Sequence, residues 1–380
     1  NCTYFRTMNL SYWEYKTWLS NIDYTIIGSG IVGLNCALQL REKYPEARIL
    51  ILEKGILPQG ASTKNAGFSC FGSISEILSD LKTHTPEEVV SLVQKRYNGI
   101  QALREKLGDA KIGYQQLGGH ELFLEKDKEL YYSSLSKIEA VNKLLFPVFK
   151  ENAFIENNNS FNFLNIKEKY ITHKFEGQIN TGAMMQALLQ KALQNNISIL
   201  NGIHVHDFQE MQGRVEVKTD KFQFNTQQLF IATNGFAANL ISEKIKPARA
   251  QVIITKPIKN LHIKGTFHLE EGYYYFRNID DRILLGGGRN LDFKIEETTE
   301  FGVTPLIQQK LEQLLKEIIL PNKDFSIEHS WSGIMGVGET KKPILKRISS
   351  RVFCGVRLGG MGVAIGTVIG EELACLYLKS

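Results

Sequence analysis

The sequence predicts an α/β protein in which a parallel-sheet domain is interleaved with an α+β domain built on an antiparallel sheet. Two short apolar runs, at residues 24–28 and 47–55, flank a glycine turn and a helical segment, which is the order of a βαβ unit. Further runs typical of parallel strands lie in the middle and near the end of the chain. Segments that alternate apolar and polar residues, as antiparallel strands do, lie between these runs. The chain is therefore expected to pass between the two domains more than once.

Composition and charge exclude several classes of protein. The chain has 380 residues, of which 43% are hydrophobic and 22% charged, which suits a globular protein with a sizeable core. The formal net charge is +5 without a dense run of Lys or Arg, so we expect no nucleic-acid partner. The apolar runs are too short for a membrane span. The first ten residues lack a basic-then-apolar signal pattern, which favours a cytoplasmic location. The oligomeric state stays open.

The cysteine and histidine pattern predicts no metal centre. No two cysteines form a C-x-x-C pair and their number is odd, so buried or idle thiols are expected rather than disulfides or a zinc site. His204 and His206 stand two residues apart without a third ligand in view. The five cysteines are Cys2, Cys36, Cys70, Cys354 and Cys375.

Capping residues and apolar periodicity place the other elements. Thr85 and Pro86 suit the N-cap and first position of a helix whose apolar stripe ends at Gly108. Thr304 and Pro305 open another helix in the same way. Further helices are predicted at 31–41, 133–146, 181–193 and 363–378, and strand-like runs at 197–200, 213–233, 249–257, 273–278, 282–288 and 350–356.

The turn after the first strand carries the G-x-G-x-x-G pattern of dinucleotide-binding folds. Gly28 permits the tight turn, Gly30 lets the backbone approach a pyrophosphate, and Gly33 lets the helix pack on the strand. The N–H groups and positive end of that helix favour a phosphate. Glu53 follows Gly33 by 20 residues, a spacing that suits a carboxylate bound to an adenosine ribose and argues against NADP. Residues expected to contact the dinucleotide here are Gly28, Ser29, Gly30, Ile31, Gly33, Glu53 and Lys54.

From residue 51 onward the sequence resembles the FAD-dependent D-amino-acid oxidase-like superfamily, which includes glycine and sarcosine oxidoreductases. An acidic residue ends the second strand, and a G-A-S-x-x-N-A-G run follows at residues 60–67. Colinear similarity then recurs to about residue 378, at residues 176–192, 203–205, 229–236, 248–257, 272–289, 329–336 and 355–374.

The resemblance implies a Rossmann-like domain that binds FAD noncovalently. No cysteine lies in the W-x-G segment where one branch attaches its flavin, and Cys70 is the alternative attachment point. The hydroxyl and amide groups of residues that follow Glu53 suit a flavin, because its isoalloxazine ring must be held and electronically tuned by the protein in addition to the pyrophosphate. The last glycines precede a helix whose positive end would favour an anionic reduced flavin. Implied contacts beyond the glycine turn are Ala61, Ser62, Thr63, Lys64, Asn65, Ala66, Gly67, Val205, Ala232, Thr233, Gly235, Gly333, Gly359, Gly360, Met361 and Gly362.

The resemblance also gives expected domain boundaries. The FAD-binding domain is expected to comprise residues 1–85, 165–247 and 326–380. The substrate-binding domain is expected to comprise residues 86–164 and 248–325.

The implied reaction is oxidation of the carbon–nitrogen bond of an amine or amino acid, with hydride passing to flavin N5. Such a site chiefly positions the substrate and excludes water, so no residue is assigned as a certain acid or base. Three positions depart from family patterns. Met335 stands where an Arg often binds the substrate carboxylate, Met361 where a His is common, and Leu284 where some members place an oxygen-activating Lys. Substrate, handedness and electron acceptor are therefore open.

The candidate substrate contacts are few. Tyr273 and Tyr275 would share one face of a strand, where they line either a pocket or the core. Arg277 and Arg357, like Lys64, are cations that could replace the missing Arg, or ordinary surface and strand-end residues. The full set of candidates is Tyr273, Tyr275, Arg277, Met335 and Arg357.

Two other functions fit the same fold. A flavoprotein of this kind could act on a modified tRNA base, although no aromatic and basic stripe demands it. A non-catalytic FAD-binding protein is the other alternative, with Met335 and Met361 marking lost catalysis.

Overall fold

The protein was analysed as a computed structural model that describes residues 9–378, with the backbone alone at Leu378. The chain forms two compact units. Unit 1 comprises Asn1–Lys64, Thr181–Ala248 and Ile334–Ser380, and unit 2 comprises Asn65–Asn180 and Arg249–Gly333. Cys2 lies outside the described residues.

The strands are numbered in chain order. They are β1 (Ile22–Ile27), β2 (Ile49–Glu53), β3 (Phe68–Ser69), β4 (Gly119–Glu121), β5 (Phe154–Asn158), β6 (Lys169–His173), β7 (Gly177–Gln178), β8 (Ser198–Asn201), β9 (Val205–Met211), β10 (Arg214–Thr219), β11 (Gln223–Ile231), β12 (Lys246–Thr255), β13 (Thr266–Leu269), β14 (Tyr274–Ile279), β15 (Arg282–Gly287), β16 (Ile327–Val337), β17 (Ile344–Arg347) and β18 (Val352–Val356).

The helices are numbered in the same way. They are α1 (Tyr12–Glu14), α2 (Ile31–Lys43), α3 (Ala61–Lys64), α4 (Ile74–Asp80), α5 (Pro86–Leu107), α6 (Asp109–Ile112), α7 (Lys128–Phe149), α8 (Thr181–Gln194), α9 (Pro305–Leu314) and α10 (Gly362–Leu378). Wider π-helical turns, Tyr15–Leu19 and Leu315–Ile319, continue α1 and α9.

Unit 1 is built on a mostly parallel sheet. Its strands run in the order β17-β18-β11-β1-β2-β8. In addition, β10 pairs antiparallel with β11, and β9 pairs antiparallel with β10. The five strands β18, β11, β1, β2 and β8 are mutually parallel, which confirms the βαβ unit expected from the sequence. The side chains of β1, β2 and β18 and of the last four residues of β11 are almost all buried, as in sheets covered on both faces.

Unit 2 is built on a mostly antiparallel sheet. The order is β16-β12-β15-β14-β13-β4-β6-β5, with β13 and β4 parallel and the other pairs with known register antiparallel. One face packs with α9 into an apolar core that includes Phe267, Phe276, Leu285 and Leu311. Residues that alternate with these along the strands occupy the opposite face.

The unit boundaries differ from the expected domain boundaries at three segments. Residues 65–85, 165–180 and 326–333 were expected in the FAD-binding domain but lie in unit 2. Strand pairing gives the reason, because β6 pairs with β4 and β5, and β16 pairs with β12. The short strand β3 likewise pairs with β7 inside unit 2.

The helices agree with their sequence signals. Thr85 and Glu88 form a reciprocal capping box at the start of α5, and Pro305 begins α9. The helix predicted at 133–146 is longer, since α7 begins at Lys128 and continues through Pro147. Between residues 9 and 378, no helix combines the length and apolar character that crossing a membrane requires. The described cysteines are thiols, buried at Cys36, Cys70 and Cys354 and half-buried at Cys375.

Two glycines of α10 allow it to lie directly on α2. A Cβ atom on Gly366 would lie 2.7 Å from Cγ2 of Ile31, and one on Gly370 would lie 2.5 Å from the carbonyl oxygen of Val32. The second contact is with backbone, which cannot rotate away. Close packing of these two helices therefore depends on the missing side chain at Gly370.

We predict that Gly370→Ala destabilises the protein. The added methyl group forces α10 away from α2, and overpacking of this kind costs about 1–3 kcal/mol. Denaturant unfolding of both proteins measures the difference. Gly60→Ala is the control, because a Cβ there has no atom within 4 Å. An unchanged free energy of unfolding in Gly370→Ala would contradict the described packing.

Candidate functional site

The glycine turn holds α2 against the end of β1. Gly28 has a φ of +102°, and a Cβ on it would lie 2.9 Å from the carbonyl oxygen of Ala232. A Cβ on Gly33 would lie 1.9 Å from the carbonyl oxygen of Gly28. The first turn of α2 therefore starts at the carboxyl ends of β1 and β11, which lie side by side in parallel. This is the position in open α/β sheets at which ligands bind.

Ser62 of α3 approaches the turn at Gly30. Its Oγ accepts a hydrogen bond of 3.0 Å from the backbone N–H of Ile31, and a Cβ on Gly30 would lie 2.8 Å from that Oγ. The hydroxyl group of Ser62 thus occupies part of the space expected for a pyrophosphate. The first turn of α2 contains no acidic residue, so its positive end is not neutralised from within the helix.

Glu53 ties the end of β2 to the glycine turn. Its side chain is buried, and Oε2 accepts hydrogen bonds from the backbone N–H (3.1 Å) and the hydroxyl (2.8 Å) of Ser29. Oε1 accepts one from the N–H of Gly55 at 3.0 Å. A carboxylate offers about four acceptor positions. One position on Oε1 is therefore left for a hydroxyl group of a ligand.

A cavity in unit 1 brings many of the expected residues together. It opens beside the glycine turn at the carboxyl ends of β1, β2 and β11. Thr233 on its wall has a buried Oγ1 with no hydrogen-bond partner among the described residues. The lining includes Gly28, Gly30, Glu53, Lys54, Ala61, Ser62, Val205, Ala232 and Thr233, together with Gln59, Ile203, His204, Asn234, Phe236 and Leu240, which the sequence analysis did not name as cofactor contacts.

The remaining cofactor candidates occupy several positions. The hydroxyl of Thr63 donates to carbonyl groups of its own loop, those of Pro58 and Gly60. A Cβ on Gly235 would lie 2.5 Å from the carbonyl oxygen of Met335, so Gly235 serves close backbone packing. Asn65, Ala66, Gly67 and Gly333 lie in unit 2, and Lys64 ends α3 in unit 1.

The C-terminal glycines form an open helix start. A Cβ on Gly359, Gly360 or Gly362 would have no atom within 4 Å, and α10 begins at Gly362 without an acidic residue in its first turn. Asn234 connects this region to β11, since its Oδ1 accepts a hydrogen bond of 3.1 Å from the N–H of Leu358. The structure thus presents bare backbone and a positive helix end beside Met361.

The two candidate tyrosines of unit 2 do not share a strand face. Tyr273 has helical backbone angles at the end of a turn, and β14 begins one residue later. The expectation of alternation was wrong here because Glu271 and Gly272, both with positive φ, turn the chain first. Tyr273 is 42% exposed, whereas Tyr275 packs with Phe68 and other apolar residues on the face opposite the α9 core. We call this surface the Tyr275 face.

Both candidate arginines use their donors on backbone carbonyl groups. Arg277 Nη1 donates to the carbonyls of Ala66, Gly67 and Ile179. In unit 1, the guanidinium of Arg357 donates to the carbonyls of Lys244 and Lys342 and to the hydroxyl of Thr340. Met335 is half-buried on β16.

Buried acids and histidines extend the row of the sheet that contains Tyr275. His268 is the cross-strand partner of Tyr275 on one side and of Glu121 on the other. The Nε2 of His268 lies 3.7 Å from Oε2 of Glu176, which is longer than a hydrogen bond but close enough for an ion pair. No pattern in the sequence singled out these residues, because their partners lie far away along the chain.

The electrostatic environment shifts the pKa values of Glu121 and Glu176 in opposite directions. Burial raises the pKa of Glu121 to about 7, although the backbone N–H and hydroxyl of Ser75 bind its oxygens. Burial acts the same way on Glu176, but His268 and His173 outweigh it and lower the pKa of Glu176 to about 2. Burial alone lowers the pKa of a histidine, yet Glu176 raises that of His268.

Comparison with known proteins decides the family. The model of the FAD dependent oxidoreductase (DAO) family matches residues 23–376. The chain belongs to this family. A probable oxidoreductase, OrdL, of Haemophilus influenzae is 22% identical over 382 residues, covering 94% of this chain and 83% of that protein.

Solved structures of similar fold agree with the assignment. Glycine oxidase from Geobacillus kaustophilus superposes with a TM-score of 0.73 at 19% identity, covering 94% of this chain and 95% of the other. L-proline dehydrogenase from P. horikoshii gives a TM-score of 0.73 at 17% identity, with 94% of each chain covered. The family and the mixed α/β fold expected from the sequence are thereby confirmed.

The protein is an FAD-dependent oxidoreductase that binds its flavin noncovalently. The cavity in unit 1 fits this cofactor, because it offers a helix start with no acidic residue in its first turn, a carboxylate with a remaining acceptor position and the orphaned hydroxyl of Thr233. Cys70, the alternative attachment point, is buried, and burial raises the pKa of its thiol well above the ordinary value. A reactive thiolate is accordingly disfavoured there.

We predict that Gly30→Val abolishes FAD retention. The valine side chain would occupy the space between the start of α2 and Ser62, where the cofactor needs bare backbone. Flavin absorbance per protein, measured after FAD addition and gel filtration, gives the result. Circular dichroism of the same sample checks that the variant is folded. Wild-type flavin content in the folded variant would reject this position for the cofactor.

We also predict a pH-dependent effect of Glu121→Gln on stability. The folded-state pKa of about 7 exceeds the ordinary 4.5, so this carboxyl contributes stability below pH 4.5 that is lost as the pH rises through 7. Between pH 4 and pH 8, the wild type should lose about 3 kcal/mol relative to the variant. Urea unfolding at both pH values measures this, with Glu129→Gln on the exposed side of α7 as the control. A pH-independent difference would show that Glu121 is not held neutral.

Proposed function

We propose that the protein oxidises the carbon–nitrogen bond of a small amine or amino acid, with substrate contacts on the Tyr275 face. The names of the solved relatives support the substrate class, since they include glycine oxidase, L-proline dehydrogenase and iminodiacetate oxidase. The observation that carries the proposal is the Tyr275 face, an apolar and aromatic cluster on the sheet of unit 2 in which Phe68 and Tyr275 are only partly buried.

The chemistry needs positioning more than acid–base groups. Bound FAD supplies a two-electron acceptor at flavin N5. The substrate nitrogen must be neutral, because its lone pair forms the C=N bond as the neighbouring C–H bond breaks and hydride leaves. Water then hydrolyses the imine to a carbonyl compound and an amine or ammonia. An apolar surface assists by excluding water from the substrate during the first step.

The polar contact on this surface is a phenol. Burial raises the pKa of Tyr275 to about 12, so it stays neutral, and no described residue hydrogen-bonds its hydroxyl. The guanidinium groups of Arg277 and Arg357 hydrogen-bond to backbone carbonyls, and that of Arg357 also to the hydroxyl of Thr340. This arrangement favours an amine or N-substituted substrate over one that depends on a bidentate Arg–carboxylate pair.

We predict that a panel of amines bleaches the flavin under anaerobic conditions. The panel comprises primary amines, N-methyl amines and both enantiomers of several amino acids, mixed with the FAD-loaded protein. At least one should remove the oxidised-flavin absorbance and yield one carbonyl product per flavin. Admitting oxygen afterwards separates an oxidase, which recovers its colour quickly, from a dehydrogenase. The proposal would be overturned if dithionite reduces the flavin but no member of the panel reduces it.

A further inference from the structure

Residues 65–72, here called the anchored segment, join α3 to α4 in the sequence and begin with three residues proposed to bind the flavin. Two residues of this segment, Phe68 and Ser69, form a strand, paired with β7. The N–H of Gly67 binds Oδ1 of Asn65, and its carbonyl accepts a hydrogen bond from the N–H of Ile179. Several other backbone groups hydrogen-bond to side chains elsewhere in unit 2. Those side chains are charged, buried and distant in sequence.

Arg277 holds the start of the segment. Its Nη1 donates to the carbonyl oxygens of Ala66 at 3.2 Å, Gly67 at 3.0 Å and Ile179 at 2.6 Å. Its Nε donates to the carbonyl of Asn278 at 3.1 Å. Hydrogen bonds from an ionised donor are roughly twice as strong as neutral ones. A single side chain thus fixes two consecutive peptide groups of the flavin-binding run.

The cation is retained without an ion pair. Arg277 is 3% exposed, and Asp280 is the acid whose charge favours the ionised guanidinium, although the two form no ion pair within 4 Å. Burial lowers the pKa of Arg277 to about 10, so the group is still protonated at neutral pH. An unpaired buried charge is unfavourable unless hydrogen bonds compensate it. Backbone carbonyls supply that compensation here, which ties the charge to the position of the segment.

Glu176 holds the other end. It is fully buried, and its Oε1 accepts hydrogen bonds from the N–H groups of Phe71 at 2.6 Å and Gly72 at 3.1 Å. A Cβ on Gly119 would lie 1.8 Å from Oε2 of Glu176, so β4 leaves room for this carboxylate. A buried cation therefore binds carbonyls at one end of the segment, and a buried anion binds N–H groups at the other.

We infer that Arg277 is a positioning residue for the flavin-binding run Asn65–Gly67, with Glu176 as its counterpart, and that it does not bind the substrate. The link to flavin rests on the proposed function of the run. The anchoring itself does not, because it concerns contacts within unit 2.

Hydrogen exchange of the FAD-free protein tests the anchoring directly. Arg277→Met keeps a long side chain but removes every donor, so amides of residues 65–72 should exchange at least tenfold faster than in the wild type. Arg277→Lys keeps the charge without the fork of donors and should give an intermediate rate. Arg282→Met, which removes an exposed pair with Glu328 at the start of β15, is the matched control and should leave the segment unchanged.

Cofactor and substrate measurements complete the test. Arg277→Met should weaken FAD binding at least tenfold, while KM for any substrate that bleaches the flavin stays within twofold at saturating FAD. Wild-type exchange in the segment would overturn the inference whether or not any amine is oxidised. A tenfold rise in KM with unchanged FAD affinity would overturn it as well, because it marks a substrate ligand. If Arg277→Met does not fold, Arg277→Lys and Glu176→Gln provide the same readouts.

Discussion

The contact between Gly33 and the carbonyl oxygen of Gly28 is the constraint on which the site in unit 1 depends. With no side chain at Gly33, the first turn of α2 sits against the end of β1, closer than any other residue permits. That approach aligns the helix start with Glu53 on the next strand and with Ser62 on α3. The positive helix end, the carboxylate and the hydroxyl converge because one backbone contact positions all three.

Unit 2 solves a different problem, since its sheet must bury one apolar face and still support polar groups on the other. Strand alternation provides the separation: Phe276 faces the α9 core while its neighbours Tyr275 and Arg277 face away. The charge of Arg277 on that second face is satisfied by main-chain carbonyls, whereas His268 lies close to the carboxylate of Glu176. Buried charge here therefore specifies where loops lie, and an apolar replacement of equal volume would not do so.

Local patterns in the sequence predicted the βαβ unit, the N-cap of α5 and the start of α9, because each depends on residues a few positions apart. The family and cofactor followed from several modest motifs in a fixed order. The roles of Arg277 and Glu176 could not be predicted, since their partners lie more than 100 residues away along the chain. The prediction for Tyr273 was wrong for a local reason: a turn with positive φ at Glu271 delays the start of β14, and of its alternation, until Tyr274. The type of a side chain indicates whether it can be buried, but not which distant backbone groups it will contact.

The order of strands in unit 1 has a consequence for synthesis on the ribosome. The sheet places β18 beside β11, and α10 packs on α2, although residues 352–378 are translated long after α2. Nine of the thirteen residues of α2 are buried in the folded protein. Until α10 has been synthesised, the part of α2 that packs against it has no cover, so the nascent chain is a natural client for chaperones that bind exposed apolar segments.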